Sequence, residues 1–134
     1  MNSKLDKRRY ALSAIANALL TVSESLSLVR DAAYEKKQFE KQLDYLNTVV
    51  AELKSRAARS IDAKALQVTA AATWLRDVAE FVNDIMIDVE AIRDVDECLV
   101  DILDSECIEV LRLIREFRRS EEVTDQWMDR HSST

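Results

Sequence analysis

The sequence of 134 residues contains neither glycine nor proline, although average usage would place roughly a dozen or more in a chain of this length. Glycine supplies the positive φ angles of tight turns, and proline breaks helices. The chain therefore has few residues that would interrupt a helix. Phosphate-binding loops and dinucleotide-binding fingerprints both require glycine, so both classes of nucleotide site are excluded.

Catalytic and metal-binding side chains are also scarce. The sequence has one histidine, His131, and two cysteines, Cys98 and Cys107, which cannot supply a standard zinc site. A Ser-His-Asp or Cys-His nucleophile would depend on this one histidine. We expect the two cysteines to be buried, reduced thiols. The composition favours a protein that is not an enzyme and that needs no cofactor.

The residues that are present are typical of a helical protein. Apolar residues make up 48% of the sequence, charged residues 33% and aromatic residues only 6%. Alanine, leucine, glutamate, lysine and arginine, the strong helix formers, are abundant. The length fits one domain with its own core. We therefore predict a single all-α domain over residues 1–134, built as a bundle of three to five long antiparallel helices.

Two seams of apolar residues alternate spacings of three and four, which indicates coiled-coil-like packing. The first seam comprises Leu12, Ile15, Leu19, Val22, Leu26, Val29 and Ala33. The second seam comprises Phe39, Leu43, Leu46, Val50, Leu53 and Ala57. At about 100° per residue the two seams point in different directions, and we expect a continuous or slightly kinked helix through residues 34–38. Because the seams need different partners, we predict a homodimer or, failing that, a compact bundle of four or more helices.

Polar residues mark the end of this first helical region. A stop is predicted at residues 58–62, with Ser60 capping the next helix. The segment that follows, residues 66–89, carries a wide apolar face. A helix of this kind should lie centrally and be contacted from two sides.

Later helix boundaries are marked less strongly. Asp94 and Glu97 are spaced as in a capping box, with aspartate in place of the usual serine or threonine. Asp104 or Ser105 offers another possible helix start. Ser120, followed by two glutamates, is expected to cap a short last helix.

The N-terminus has features of a signal peptide, because basic residues precede an apolar stretch at residues 10–22. Ser13 and Asn17 interrupt that stretch, however, and its apolar residues are spaced as a helix stripe. We favour a structural amphipathic helix in a cytoplasmic protein. We expect no segment to be long and apolar enough to span a membrane, and no membrane partner.

The net charge of −6 conceals an uneven distribution. Residues 77–109 contain 12 acidic residues and one basic residue, whereas residues 1–76 contain 13 basic and 8 acidic residues. Four carboxylates fall on one face of the predicted third helix: Asp77, Glu80, Asp84 and Asp88. Three interpretations are open: a solvated face that basic residues of the first helices could pair with, a docking surface for a basic partner, and a divalent-metal site.

The metal interpretation has a specific form. Asp77-Val-Ala-Glu80 is followed by Asp94-Val-Asp-Glu97 and by Asp101. The order and gap resemble all-α nucleoside triphosphate pyrophosphohydrolases, which hold Mg²⁺ with Glu-x-x-Glu on one helix and Glu-x-x-Asp on the next. The resemblance implies Mg²⁺ ligands at Asp77, Glu80, Glu97 and Asp101. The residue types depart from the family pattern, and Glu97 and Asp101 are spaced by four rather than three.

Two basic clusters lie at residues 4–9 and 112–119. The second cluster contains Arg112, Arg115, Arg118 and Arg119. We expect it near a helix C-terminus, where arginine complements the helix dipole; contact with phosphate is the alternative. No recognition-helix signature is present, so a nucleic-acid-associated regulator ranks behind a protein-binding module.

These features together predict a non-enzymatic helical module for protein–protein interaction, such as an adaptor, inhibitor, immunity or chaperone-like factor. Its partner is expected to be a protein with a basic surface, and the chain is expected to form homo-oligomers. Trp127 and Met128 either tuck back onto the bundle or anchor the partner. The candidate partner-binding residues are Asp77, Glu80, Asp84, Asp88, Trp127 and Met128. The alternatives are the Mg²⁺-dependent pyrophosphohydrolase and the nucleic-acid-associated regulator.

Overall fold

A computed structural model describes the backbone of residues 3–59 and 65–132, and the side chains of residues 7–58 and 73–121. Its elements are α1 (Ser3–Ala32), α2 (Lys37–Arg59), α3 (Ala65–Val89), a one-turn 3-10 helix (Glu90–Ile92) and α4 (Glu97–Ser132). The described residues form four α-helices and no strand, which confirms the predicted all-α fold.

Contacts between helix ends show that neighbouring helices run antiparallel. Arg8, near the start of α1, pairs with Glu121 in the last third of α4. Gln42, in the first turns of α2, donates a hydrogen bond to Asp88 at the end of α3. α1 packs against both α2 and α4, and α3 packs mainly against α4. The chain is therefore an up-down-up-down bundle of long helices.

Both predicted seams are buried inside this one chain. Every residue of the first seam, from Leu12 to Ala33, and of the second, from Phe39 to Ala57, is at most 7% exposed. Fully burying one large aliphatic side chain contributes roughly 1.5–3 kcal/mol. The seams are therefore covered by a compact four-helix bundle, and they do not need a second copy of the chain.

The chain reverses direction between α1 and α2 without any glycine. Residues 33–36 connect the two helices, and no described residue has a positive φ angle. The amide of Ala33 donates to the carbonyl of Arg30 at 3.2 Å and closes the last turn of α1. The expectation of a continuous or slightly kinked helix through residues 34–38 is therefore wrong. Antiparallel helices can be joined by two to five residues, and reversal allows both seams to be buried together.

The predicted stop and the wide apolar face of the next helix are both found. α2 ends at Arg59, inside the predicted stop at residues 58–62, while the proposed cap Ser60 lies outside the described residues. The buried side of α3 is formed by five aliphatic residues: Leu75, Val78, Val82, Ile85 and Val89. Phe81 and Trp74 are partly buried beside them, and both contact α2. The helix is thus contacted from two sides, as predicted. The expectation that it lies centrally is wrong, because α1 packs extensively against both α2 and α4 whereas α3 packs mainly against α4.

α4 begins later and extends further than the boundary signals indicated. The amide of Leu99 donates to Oδ1 of Asp96 at 3.0 Å, so Asp96 caps the helix and Asp94 does not. The helix then runs without a break for 36 residues, which contradicts the starts predicted at Asp104 or Ser105 and at Ser120. The reason is a continuous buried stripe from Val100 through Leu103, Cys107, Val110, Ile114 and Phe117, which a new helix start would disrupt.

α1 contains a stretch, Lys7–Ala32, that is long and apolar enough to cross a membrane, and an 18-residue window within it has a mean hydropathy of 1.5. The expectation that no segment would reach this length and composition is therefore wrong. A core helix of a bundle meets the same criteria, because its apolar side chains are buried against neighbouring helices. Leu19, Val22 and Leu26 of α1 are fully buried against the other helices.

The two cysteines occupy different environments. Cys107 is buried, and burial, followed by the nearby Asp104 and Glu106, raises the pKa of its thiol to about 12. Cys98 is exposed in the first turn of α4, so the expectation that both thiols are buried is wrong for this residue. Both cysteines are free thiols.

Candidate functional site

Three of the four predicted carboxylates form an exposed line on α3. Asp77, Glu80 and Asp84 are all exposed, and we refer to them as the acidic row. Asp77 and Asp84 lie within about 20° of each other around the helix, and Glu80 lies about 40–60° further round. Asp88 continues this face but is only half-exposed.

The acidic row lies next to the boundary where α2 packs against α3. Tyr45 of α2 packs on Phe81 of α3, with ring centroids 4.0 Å apart and planes tilted by 42°. The pKa of Tyr45 is raised, first by burial and second by the charge of Asp77. These contacts place Asp77 at the edge of the packed aromatic pair.

Asp88 has a structural role that the sequence did not indicate. Its Oδ2 accepts a hydrogen bond of 2.7 Å from Nε2 of Gln42, a buried side chain of α2. A hydrogen bond to a charged group is worth about 1.5–3 kcal/mol. Asp88 therefore connects α3 to α2. In this structural role it differs from Asp77, Glu80 and Asp84, the three exposed members of the predicted docking face.

The described basic residues of the first helices form no ion pair with the acidic row. Within the described residues, Asp77, Glu80 and Asp84 form no ion pair. The guanidinium of Arg56 lies instead 4.8 Å from the centre of the Trp74 ring and 2.9 Å from Glu52. The row consequently presents its negative charge to solvent.

The acidic region continues at the junction between α3 and α4, where Arg93 forms ion pairs with three carboxylates. Its guanidinium lies 2.7 Å from Glu90, 2.8 Å from Asp101 and 3.3 Å from Asp104. Hydrogen bonds from Arg93 lower the pKa of Glu90. The pKa of Asp104 is nevertheless raised, because burial and the charge of Glu90 outweigh the attraction of Arg93.

The structure does not bring the four possible Mg²⁺ ligands together. Asp77 and Glu80 lie at the same height in the bundle as Arg115 of α4, because Ala79, between them in the sequence, lines a groove with that residue. Asp101 precedes Arg115 by 14 residues, which corresponds to roughly 20 Å along a helix. The carboxylate of Asp101 is also held by Arg93. In the part of the chain that is described, no group of three or more potential ligands could hold a metal ion.

Within the C-terminal basic cluster, one arginine differs from the other three. Arg112 forms ion pairs with Glu109 and, at 2.7 Å, with Glu116. Arg115, Arg118 and Arg119 form no ion pair among the described residues. The expected dipole role fails, because α4 continues through Ser132 and the helix dipole acts only within the last turn.

These three arginines line one groove between α3 and α4. The other lining residues are Ala79, Asn83, Leu111 and Ile114, and the groove has a volume of about 470 Å³. We refer to this feature as the arginine groove. Among the described residues that line it there is no carboxylate, so these residues give it a positive charge. Sequence spacing alone groups these arginines, but only the packing of α3 on α4 reveals the groove.

The N-terminal basic cluster has a structural member. Arg8 makes a two-point ion pair with Glu121, with nitrogen–oxygen distances of 2.8 and 3.1 Å. Glu121 is only 4% exposed, so this pair joins α1 to α4 in a partly buried setting. The side chains of Trp127 and Met128 lie outside the described residues, and their proposed role in partner binding stays a prediction.

Compared with known proteins, the chain matches no family model, no curated protein and no solved structure. The surface features that carry functional information are therefore those of the chain itself. They are two neighbouring surfaces of opposite sign, the acidic row and the arginine groove, on either side of α3.

Proposed function

We propose that the chain is a non-enzymatic helical interaction module whose acidic row docks a basic surface of a protein partner. The observation that carries this proposal is the exposure of Asp77, Glu80 and Asp84 without an ion pair in the described residues. Carboxylates three and four residues apart on a helix repel one another by a few tenths of a kcal/mol per pair, roughly. A row of this kind costs stability in the free protein, and a basic partner would remove that cost.

The row is well placed for docking because it stands on a rigid support. α3 buries Leu75, Val78 and Val82 completely, and the Tyr45–Phe81 contact fixes the edge next to α2. The backbone of a packed helix is already ordered, so binding does not have to order it. The charges of the acidic row also attract a basic surface over about 10 Å at ordinary salt concentrations, which raises the association rate.

The proposal is tested by affinity capture with the full chain from its native host and with the variant D77N/E80Q/D84N. Asp88 is left unchanged because it bonds Gln42. The proposal expects at least one partner that the wild type retains, that high salt releases, and that the variant loses. The melting temperature of the variant should hold or rise slightly, because repulsion within the row is relieved.

The matched control is E24Q/E35Q/D44N, which removes three exposed carboxylates from α1, the first connection and α2. It changes the net charge by the same amount but leaves the acidic row intact. The control should retain the partner. The proposal is contradicted if all three proteins capture the same partners in the same amounts, or if none captures a partner specifically.

A further inference from the structure

We infer that the basic surface docked by the acidic row is the arginine groove of a second copy of this chain, with the reciprocal contact completing a two-fold symmetric dimer. This inference rests on the proposed function and names its partner. The acidic row offers three exposed carboxylates, and the arginine groove offers three guanidiniums. Guanidinium and carboxylate groups match in geometry as well as charge, because two parallel N–H···O bonds can form between them.

The arginines of the groove differ from half of the described arginines because they form no ion pair with described carboxylates of their own chain. Among the ten arginines with described side chains, five are held by carboxylates of their own chain: Arg8, Arg30, Arg56, Arg93 and Arg112. Three of the other five are Arg115, Arg118 and Arg119, and all three line the same groove. Positive charge left uncompensated at one place on an acidic protein is a surface that fits an acidic partner.

The positions of the two surfaces on α3 fit a two-fold dimer. Asp77 and Asp84 lie on the side of α3 that faces α2, whereas Ala79 and Asn83, which line the arginine groove, lie roughly 130° further round the helix. A two-fold axis parallel to α3 places the α2 side of α3 in one copy against the arginine-groove side of α3 in the other copy. Each acidic row then faces the partner's groove, and the same contact is made twice.

The dimensions of the surfaces and one apolar residue support the same arrangement. From Asp77 to Asp84 the acidic row rises by seven residues, about 10 Å along α3. From Arg115 to Arg119 the arginine groove rises by four residues, about 6 Å along α4, and its long side chains extend further. Ile87 follows Glu80 by seven residues, so it lies on the same face of α3, and it is 70% exposed. A dimer with its axis parallel to α3 brings Ile87 close to its counterpart and buries apolar surface. Glu80 lies near the same axis, so Asp77 and Asp84 make the principal contacts with the partner's groove.

The experiment is sedimentation equilibrium of the full chain at about 0.1 mM protein, in about 50 mM and about 500 mM salt. The wild type should have twice the 15.3 kDa mass of the monomer at low salt and should dissociate at high salt. Two charge-reversed variants, D77K/E80K/D84K and R115E/R118E/R119E, should each raise the dimer dissociation constant at least about 100-fold. An equimolar mixture of the two variants should form a heterodimer, because the reversed row then faces the reversed groove.

The control E24K/E35K/D44K reverses three exposed charges elsewhere and must still form the dimer. Helicity of every variant is checked by circular dichroism. If a reversed variant unfolds, D77N/E80Q/D84N and R115Q/R118Q/R119Q replace the pair. Each of these should weaken its own dimer, and mixing them should restore one of the two row–groove contacts and give a heterodimer of intermediate affinity. A monomeric wild type at low salt, or a dimer unaffected by both sets of changes, would overturn the inference. A monomeric wild type whose acidic row is still needed to capture another protein overturns this inference alone and leaves the proposed function standing.

Discussion

At the residue scale, each charged side chain is best understood by the groups that surround it. Arg8 and Glu121 form a two-point pair with side-chain exposures of 15% and 5%. Removing either charge would therefore leave the other nearly buried and without its partner, which is strongly destabilising. Arg93 instead holds Glu90, Asp101 and Asp104 near the surface. One guanidinium cannot neutralise three carboxylates, and the pKa values of Glu90 and Asp104 are shifted in opposite directions.

Asp104 and Glu90 should therefore give stability opposite dependences on pH. Asp104 has a pKa above its ordinary value of 3.8, so its ionisation costs stability as pH rises. The variant D104N should be at least as stable as the wild type at about pH 7, and this advantage should vanish below 3.8. Thermal melts followed by circular dichroism across the acidic range measure the effect.

Glu90 provides the matched comparison. Its pKa lies below the ordinary value of 4.5, so its charge stabilises the fold at neutral pH, and that stabilisation is lost as pH falls through the lowered pKa. The variant E90Q should melt below the wild type at about pH 7 and approach it at the acidic limit. Identical pH profiles for D104N and E90Q would show that the Arg93 cluster does not distinguish its carboxylates.

At the element scale, sequence periodicity predicted which residues are buried more reliably than where helices begin and end. Every residue of both seams is buried, because burial follows directly from helical spacing. Boundaries depend on short polar signals that occur by chance within helices. Ser105 and Ser120 could cap a helix, yet α4 passes through both, since its buried stripe stabilises the continuous helix more than a new cap would.

The start of α4 gives a direct test of capping. Asp96 accepts the amide of Leu99, so Asp96→Ala should lower the free energy of unfolding by about 1 kcal/mol. Asp94, an exposed acid two residues earlier, is the control, and Asp94→Ala should change stability by less than about 0.5 kcal/mol. Urea unfolding of both variants measures the difference. A larger loss for Asp94→Ala would place the cap where the sequence spacing first indicated it.

At the scale of the whole molecule, four helices close one core and separate charge in space. The antiparallel arrangement puts the Arg93 cluster at one end of the bundle and the arginine groove nearer its middle, on the side of the Arg8–Glu121 pair. This separation of charge is visible in the sequence as an uneven net charge along the chain, and the same pattern identified the acidic face of α3. The arginine groove could not be predicted, because it exists only where α3 packs on α4.

The single core is tested by two leucines of α1. Leu26 belongs to the first seam and is fully buried, whereas Leu28 is 58% exposed. Leu26→Ala should reduce the free energy of unfolding by about 2–5 kcal/mol, and Leu28→Ala by less than about 0.5 kcal/mol. Equal losses in urea unfolding would mean that α1 is packed by a different face.

The central claim is that the acidic row binds its partner electrostatically, and the most direct test is the salt dependence of that binding. The dissociation constant for the captured partner is measured by titration calorimetry between about 50 and about 500 mM salt. For the wild type, the dissociation constant should rise about tenfold or more over this range. For D77N/E80Q/D84N, binding should be weaker at low salt and nearly independent of salt. An unchanged slope and affinity in that variant would contradict the claim.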